Sequence, residues 1–188
     1  MNTFENELVY LQAVAEELET YLISPDLFQQ IIIPGRKRLI SSDSITPGNI
    51  RYSIKLLGSN RLPPQLYSKS IDIIHHIEQI SDRWRANWSQ KVSREIPVRL
   101  RMWKNYLDDL SENNEKFGHL YQQEIRWRVL ISLLIEDGFS PSGVETRELH
   151  LLDQALLSIS CEAGFIWDIE IQDCFPIEEY WYLYRKIC

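Results

Sequence analysis

The chain has 188 residues, of which 44% are hydrophobic and 25% are charged, a composition typical of a soluble globular protein with its own apolar core. Its seven glycines are about half the usual share, which disfavours a glycine-rich barrel or sandwich and a phosphate-cradling loop. The net charge of −7 argues against a predominantly basic, nucleic-acid-binding domain.

The first part of the chain is predicted to be helical on both sides of a turn-rich connector. Apolar residues recur at helical spacing within residues 8–22 and predict an amphipathic helix. Pro and Gly residues make the segment 31–45 a connecting loop. Thr46 followed by Pro47 is the start signal of another helix, and Gly58 ends it.

The middle of the chain is predicted to form one long helix over residues 64–111, because apolar residues continue at spacings of three and four. Pro97 interrupts this pattern, since a proline inside a helix removes one hydrogen bond and clashes with the preceding turn. We therefore expect either a kink at Pro97 or two helices that meet near residues 94–96. In the second half of this segment the apolar residues share one face of the helix, and we expect this face to be buried. Its residues are Trp84, Trp88, Val92, Ile96, Leu100, Trp103, Leu107 and Leu110.

The last part is predicted to contain a loop at 112–117, two further helices and a terminal helix over 176–187. Residues 165–171 alternate between large apolar and mostly polar side chains, which favours a short strand or extended segment. Taken together, the elements predict an all-α fold: a helical bundle of about six or seven helices in a single domain over 1–188.

The basic residues are concentrated in one part of the chain. Residues 1–30 hold six acids and no base, residues 31–107 have a net charge of +9, and residues 108–188 have a net charge of −10. Within this middle part, residues 83–104 hold seven Arg or Lys, three Trp and one acid.

Two interpretations of the basic segment differ in what its cations do. The helical phase places the tryptophans inward, and the cations are then solvated or paired with acids. The alternative is a phosphate-binding face for nucleic acid, with these candidate residues: Lys91, Arg94, Arg101 and Lys104.

The C-terminal segment has four aromatic residues within five positions: Tyr180, Trp181, Tyr182 and Tyr184. A helix turns about 100° per residue, so it cannot bury all four rings on one face. Tyr and Trp are enriched at interface hot spots. These four residues are therefore the candidates for contact with a protein partner or with a second copy of the chain.

The sequence offers no pattern typical of catalysis, and we expect no catalytic, cofactor-binding or metal-binding residues. His75, near Asp72 and Glu78, lacks the paired motif of helical di-iron proteins. Asp168 and Glu170, with Asp173 nearby, are interpreted as an exposed acidic edge rather than a cation site.

Cysteine spacing and hydropathy bear on the compartment. Cys161, Cys174 and Cys188 are odd in number and widely spaced, so no zinc motif is indicated and three reduced thiols of a cytoplasmic protein are expected. No apolar run is long enough for a membrane span, and no membrane association is expected.

The sequence favours a non-enzymatic, helical protein–protein interaction module: an adaptor or accessory subunit of a cytoplasmic assembly. One alternative is a nucleic-acid-associated accessory protein that uses residues 83–104. A further alternative is a helical enzyme whose catalytic residues are distant from one another in the sequence, because the absence of local motifs does not exclude one.

Overall fold

A computed structural model describes residues 3–32 and 44–188 of the chain. Over these residues the protein is all-α, with two small two-stranded sheets, and the predicted all-α helical bundle is confirmed. The chain divides into two compact units, an N-terminal unit (Met1–Glu95) and a C-terminal unit (Ile96–Cys188). The single domain over 1–188 stays a prediction, and most of the expected loop at 31–45 lies outside the described residues.

The N-terminal unit is built around its first helix, whose buried side chains include Leu11, Val14 and Leu18. This helix packs against the next two helices of the unit. Thr46 caps one of them by accepting a hydrogen bond from the backbone N–H of Asn49 at 3.2 Å, as the sequence predicts. The elements of this unit are α1 (Thr3–Ile23), β1 (Gln29–Gln30), β2 (Ser44–Ile45), α2 (Pro47–Leu57), α3 (Pro64–Arg83) and the first part of α4 (Arg85–Glu112).

The predicted long helix is broken at Trp84 and not near Pro97. Trp84 has φ −106° and ψ 33°, while Pro97 lies inside α4. The neighbouring residues Val92, Ile96 and Leu100 are all buried. Their burial stabilises the helix by more than the hydrogen bond lost at proline costs, so tertiary packing overrides the local signal.

The C-terminal unit surrounds a short apolar helix, α7, whose Val129, Leu130 and Leu134 are completely buried. Part of the loop predicted at 112–117 forms one helical turn, α5, which Asn113 caps. The elements that follow α4 are α5 (Asn114–Phe117), α6 (Tyr121–Glu124), α7 (Arg126–Glu136), α8 (Gly143–Ile159), β3 (Ser160–Glu162) and β4 (Arg185–Ile187), with 3-10 helices at Gly118–Leu120, Ile169–Cys174 and Trp181–Tyr184.

The prediction of a helix over 176–187 is wrong. Residues Trp181–Tyr184 form one 3-10 turn, and Arg185–Ile187 form β4, which pairs antiparallel with β3. In an α-helix, residues two apart point about 200° away from each other. The irregular turn instead lets Tyr180 and Tyr182 both point into the core.

The extended segment predicted at 165–171 is not a strand either. The side chain of Asp168 accepts a hydrogen bond from the backbone N–H of Glu170 at 2.9 Å and starts the 3-10 helix Ile169–Cys174. Asp side chains favour such local turns over strand pairing. The turn leaves Ile169 exposed and buries Ile171, two residues that strand alternation would place on one face.

The expectation of three reduced thiols is also wrong, because Cys161 and Cys188 form a disulfide. Their Cα atoms are 5.9 Å apart, within the range that a disulfide spans. Cys174 is free and buried. The two bridged cysteines are 27 residues apart in sequence, and only the pairing of β3 with β4 brings them together.

Candidate interaction surface

Lys91, the first candidate for phosphate binding, is buried and holds the turn that follows α1. Its ammonium group donates to the carbonyl oxygens of Ser24, at 2.9 Å, and Asp26. It also lies 4.2 Å from the centroid of the Tyr21 ring. Burial lowers the pKa of Lys91, the neighbouring Arg94 lowers it further, and Asp26 opposes the shift. Lys91 is therefore a structural cation of the N-terminal unit.

Two of the other three candidates also bind protein groups. Arg94 donates from Nη1 to the carbonyl oxygen of Pro25 at 2.9 Å. Lys104 pairs with Asp108 one helical turn later, and Arg101 is exposed. Three of the four cations are thus engaged, which weakens the support for a phosphate-binding face, although that interpretation stays a prediction.

The tryptophans of the same segment are directed inward, as the helical phase predicts. Trp88 and Trp103 are buried, and Trp84 is half-buried. The buried rings of Trp88 and Trp103 are not available to stack on nucleic-acid bases, because stacking requires an exposed face.

The four C-terminal aromatic residues differ in exposure. Tyr180 and Tyr182 are completely buried, whereas Trp181 and Tyr184 are half-buried. The rings of Tyr180 and Tyr182 are covered by their own unit, so Trp181 and Tyr184 are the members of this cluster that remain partly accessible. Partner contact by the four residues stays a prediction.

A polar network holds Tyr182 in the core of the C-terminal unit. Arg128 donates to both carboxylate oxygens of Asp153, at 2.8 and 2.9 Å, and from Nη1 to Ser132 at 2.6 Å. Its guanidinium lies 4.6 Å from the centroid of the Tyr182 ring. The Tyr182 hydroxyl donates to Ser132 at 2.9 Å. Burial raises the pKa of Tyr182 to about 12, with Arg128 as the main opposing influence.

Phe175 is the centre of an aromatic cluster in the same unit. It is completely buried, and its ring centroid lies 5.0 Å from that of Tyr180 and 5.5 Å from that of Trp167. The Tyr184 hydroxyl donates to the carbonyl oxygen of Phe175 at 2.9 Å. These ring contacts and this hydrogen bond hold the segment on either side of Phe175 in place.

The exposed residues of this supported segment are either acidic or apolar. Ile169 is 60% exposed and Ile177 is 50% exposed. Residues 168–179 contain five carboxylates and no Lys, Arg or His. We call the exposed residues of this segment the acidic surface: Asp168, Ile169, Glu170, Asp173, Pro176, Ile177, Glu178 and Glu179.

The acidic surface belongs to the part of the chain that carries its net charge. Residues 96–188 contain nine Lys or Arg and sixteen Asp or Glu, a net charge of −7, whereas residues 1–95 contain eleven of each. The negative potential at the surface therefore comes from the C-terminal unit as well as from its own five carboxylates.

Sequence reasoning found half of this surface. It interpreted the acids at 168, 170 and 173 as an exposed edge, but it grouped Ile169 with the apolar residues of a short strand or extended segment. The signal that could have placed Ile169 outward is Asp168 directly before it, because Asp two residues ahead of a backbone N–H favours a turn.

Within residues 3–32 and 44–188, no three His, Cys, Asp or Glu side chains are grouped so that they could hold a metal ion. No helix in those ranges is both long and apolar enough to cross a membrane. Comparison with known protein families, curated proteins and solved structures found no match.

Proposed function

We propose that the chain is a non-enzymatic protein–protein interaction module, an adaptor or accessory subunit, whose acidic surface binds a basic segment of another protein. The observation that carries this proposal is the exposure of Ile169 and Ile177 among five carboxylates. Leaving a large aliphatic side chain in water forgoes about 1.5–3 kcal/mol of burial. Contiguous exposed apolar patches rimmed by polar residues mark interaction sites, and we infer that Ile169 and Ile177 form such a patch together.

The charge of the surface defines the chemistry of the partner. A second copy of the chain would bring another unit of net charge −7 against the first, and nucleic acid carries the same sign as the carboxylates. A segment rich in Lys or Arg that also carries apolar side chains complements both features. A cytoplasmic location belongs to the same proposal.

The two kinds of residue contribute differently to binding. Complementary charges accelerate association and make it sensitive to salt. Desolvated apolar anchors slow dissociation. Ile169 and Ile177 are therefore the anchors, and the carboxylates select a basic partner.

The test is selection of 12-residue peptides from a random display library on the purified protein. We expect the selected peptides to combine Lys or Arg with large apolar residues. Charge reversal by E170K, E178K and E179K together is expected to weaken their binding at least tenfold. The matched control reverses three exposed acids of the N-terminal unit, E16K, D72K and D82K, and is expected to leave binding unchanged.

Circular dichroism melting of both triple variants verifies that each is folded. Selected peptides without basic residues would contradict the proposal, and so would equal losses of affinity in the two variants. A second variant, I169D with I177D, is expected to raise the dissociation rate while association stays salt-dependent.

A further inference from the structure

A cavity of about 350 Å³ lies in the C-terminal unit, where β4 faces the segment 114–122. Its volume is in the range typical of sites for small molecules. Its lining includes Arg185, Lys186 and His119, and no carboxylate side chain. Three basic residues without an acid are unexpected in a unit whose net charge is −7.

A second cavity of the same unit has the opposite character. It measures about 330 Å³, and its charged lining residues are Asp109 and Glu124, with no Lys, Arg or His. Two cavities of similar size in one unit thus differ in the sign of the charge of their linings. The cationic lining is opposite in sign to the net charge of the unit.

The cationic cavity presents hydrogen-bond donors that the described protein does not use. Arg185 donates from Nε and Nη2 to the side chain and carbonyl oxygens of Ser160, at 2.7 and 2.6 Å. These two bonds fix the plane of the guanidinium, and its Nη1 makes no hydrogen bond with the described residues. The side chains of Lys186 and His119, which are both exposed, make no hydrogen bond or ion pair with the described residues.

The walls of this cavity are held by their own hydrogen bonds. The Tyr121 hydroxyl donates to the carbonyl oxygen of Tyr182 at 2.6 Å. The carbonyl oxygen of Gln122 accepts from Nε1 of Trp167 at 2.7 Å. Asn114 donates to the carbonyl oxygen of Cys188 at 2.6 Å. Hydrogen bonds within the unit therefore hold the lining residues of this cavity in position.

We propose that this cavity binds a small organic phosphate. A fixed guanidinium presents a planar fork to phosphate oxygens, and an ammonium group adds a point charge. The apolar lining residues Ile166 and Ile187 contact the organic part of the ligand. This site is independent of the acidic surface, which shares no residue with it.

The test is isothermal titration calorimetry of the protein with phenyl phosphate, with inorganic phosphate and with phenol. We expect phenyl phosphate to bind, inorganic phosphate to bind at least several-fold more weakly, and phenol not to bind. The double variant K186Q with H119Q is expected to weaken phenyl phosphate at least tenfold. The control K104Q, which removes a cation elsewhere in the unit, is expected to bind phenyl phosphate as the unaltered protein does.

Three results would overturn this inference. Absence of phenyl phosphate binding at 10 mM (roughly the weakest affinity that such titrations resolve) would remove the site. Equal weakening by K104Q would reduce it to general charge attraction. Equal affinity for phenyl phosphate and inorganic phosphate would exclude an organic ligand in favour of free phosphate. Binding of the double variant to the peptides selected on the acidic surface serves as the folding control.

Discussion

At the scale of single residues, Trp103 shows what the helical phase of the sequence can predict. It is completely buried and stacks on Tyr106 with a centroid distance of 5.6 Å. Trp88 is buried as predicted too. The indole N–H of Trp103 has no hydrogen-bond partner in the described residues, a detail that spacing alone does not reveal, because partners come from tertiary packing.

Replacing Trp103 tests the contribution of this burial. Trp103→Ala is expected to lower the free energy of unfolding by about 3–5 kcal/mol, because it removes a large buried side chain and leaves a cavity. Trp103→Phe is expected to cost clearly less, since it keeps an aromatic ring and removes an unpaired N–H. Urea denaturation measures both, and a loss below about 1 kcal/mol for Trp103→Ala would place the ring at the surface.

At the scale of elements, the sequence predicted the N-terminal helices better than the C-terminal segment. Amphipathic spacing is local and gave α1 and α2 correctly. The break at Trp84 and the strand pairing of β3 with β4 depend on contacts between distant residues. The terminal segment combines helix-forming charges with rings that require burial on several sides, and burial determines its irregular conformation. The first four residues of this segment, 176–179, are exposed and belong to the acidic surface.

The pairing of β3 with β4 leads to a prediction about thiols. Purified under air and unfolded without reductant, the protein is expected to expose one reactive thiol, that of Cys174. Closing a loop of this length stabilises a protein by about 3–4 kcal/mol in the chain-entropy model. C161S is therefore expected to lower the free energy of unfolding by about 2–4 kcal/mol, while C174S leaves the disulfide intact.

Three reactive thiols in the unfolded protein would contradict the disulfide and restore the sequence-based expectation. A disulfide that persists in the native host would favour an oxidising compartment over the cytoplasm.

At the scale of the whole molecule, buried tyrosines determine the response to alkaline pH. Burial raises the pKa of Tyr106, Tyr121 and Tyr180 above its usual range and that of Tyr182 to about 12. At pH values above 10, these phenols stay protonated in the folded chain, whereas they ionise in the unfolded chain. Their contribution to stability is complete below pH 10 and is lost as the pH rises toward 12. The lowered pKa of Lys91 acts in the opposite direction.

Urea denaturation at pH 8, 10 and 11 is expected to show a free energy of unfolding that falls steadily above pH 10. Each protected tyrosine contributes at most about 1.4 kcal/mol per pH unit. Tyrosinate absorbance is expected to lag for Tyr106, Tyr121, Tyr180 and Tyr182, at the least, until the chain unfolds. Ionisation of all nine tyrosines near pH 10 in the folded protein would contradict the buried network.

The charge of the molecule is carried by one half of the chain, and this asymmetry supports an acidic docking surface on the C-terminal unit. The most direct measurement is photocrosslinking in cells of the native host, with a benzophenone amino acid at position 177 and, as control, at Ile71, an exposed residue of α3. We expect adducts from position 177 to one recurring protein, within a segment rich in Lys or Arg, and their loss when E170K, E178K and E179K are combined. No adducts from position 177, or adducts that the charge reversal leaves unchanged, would contradict it.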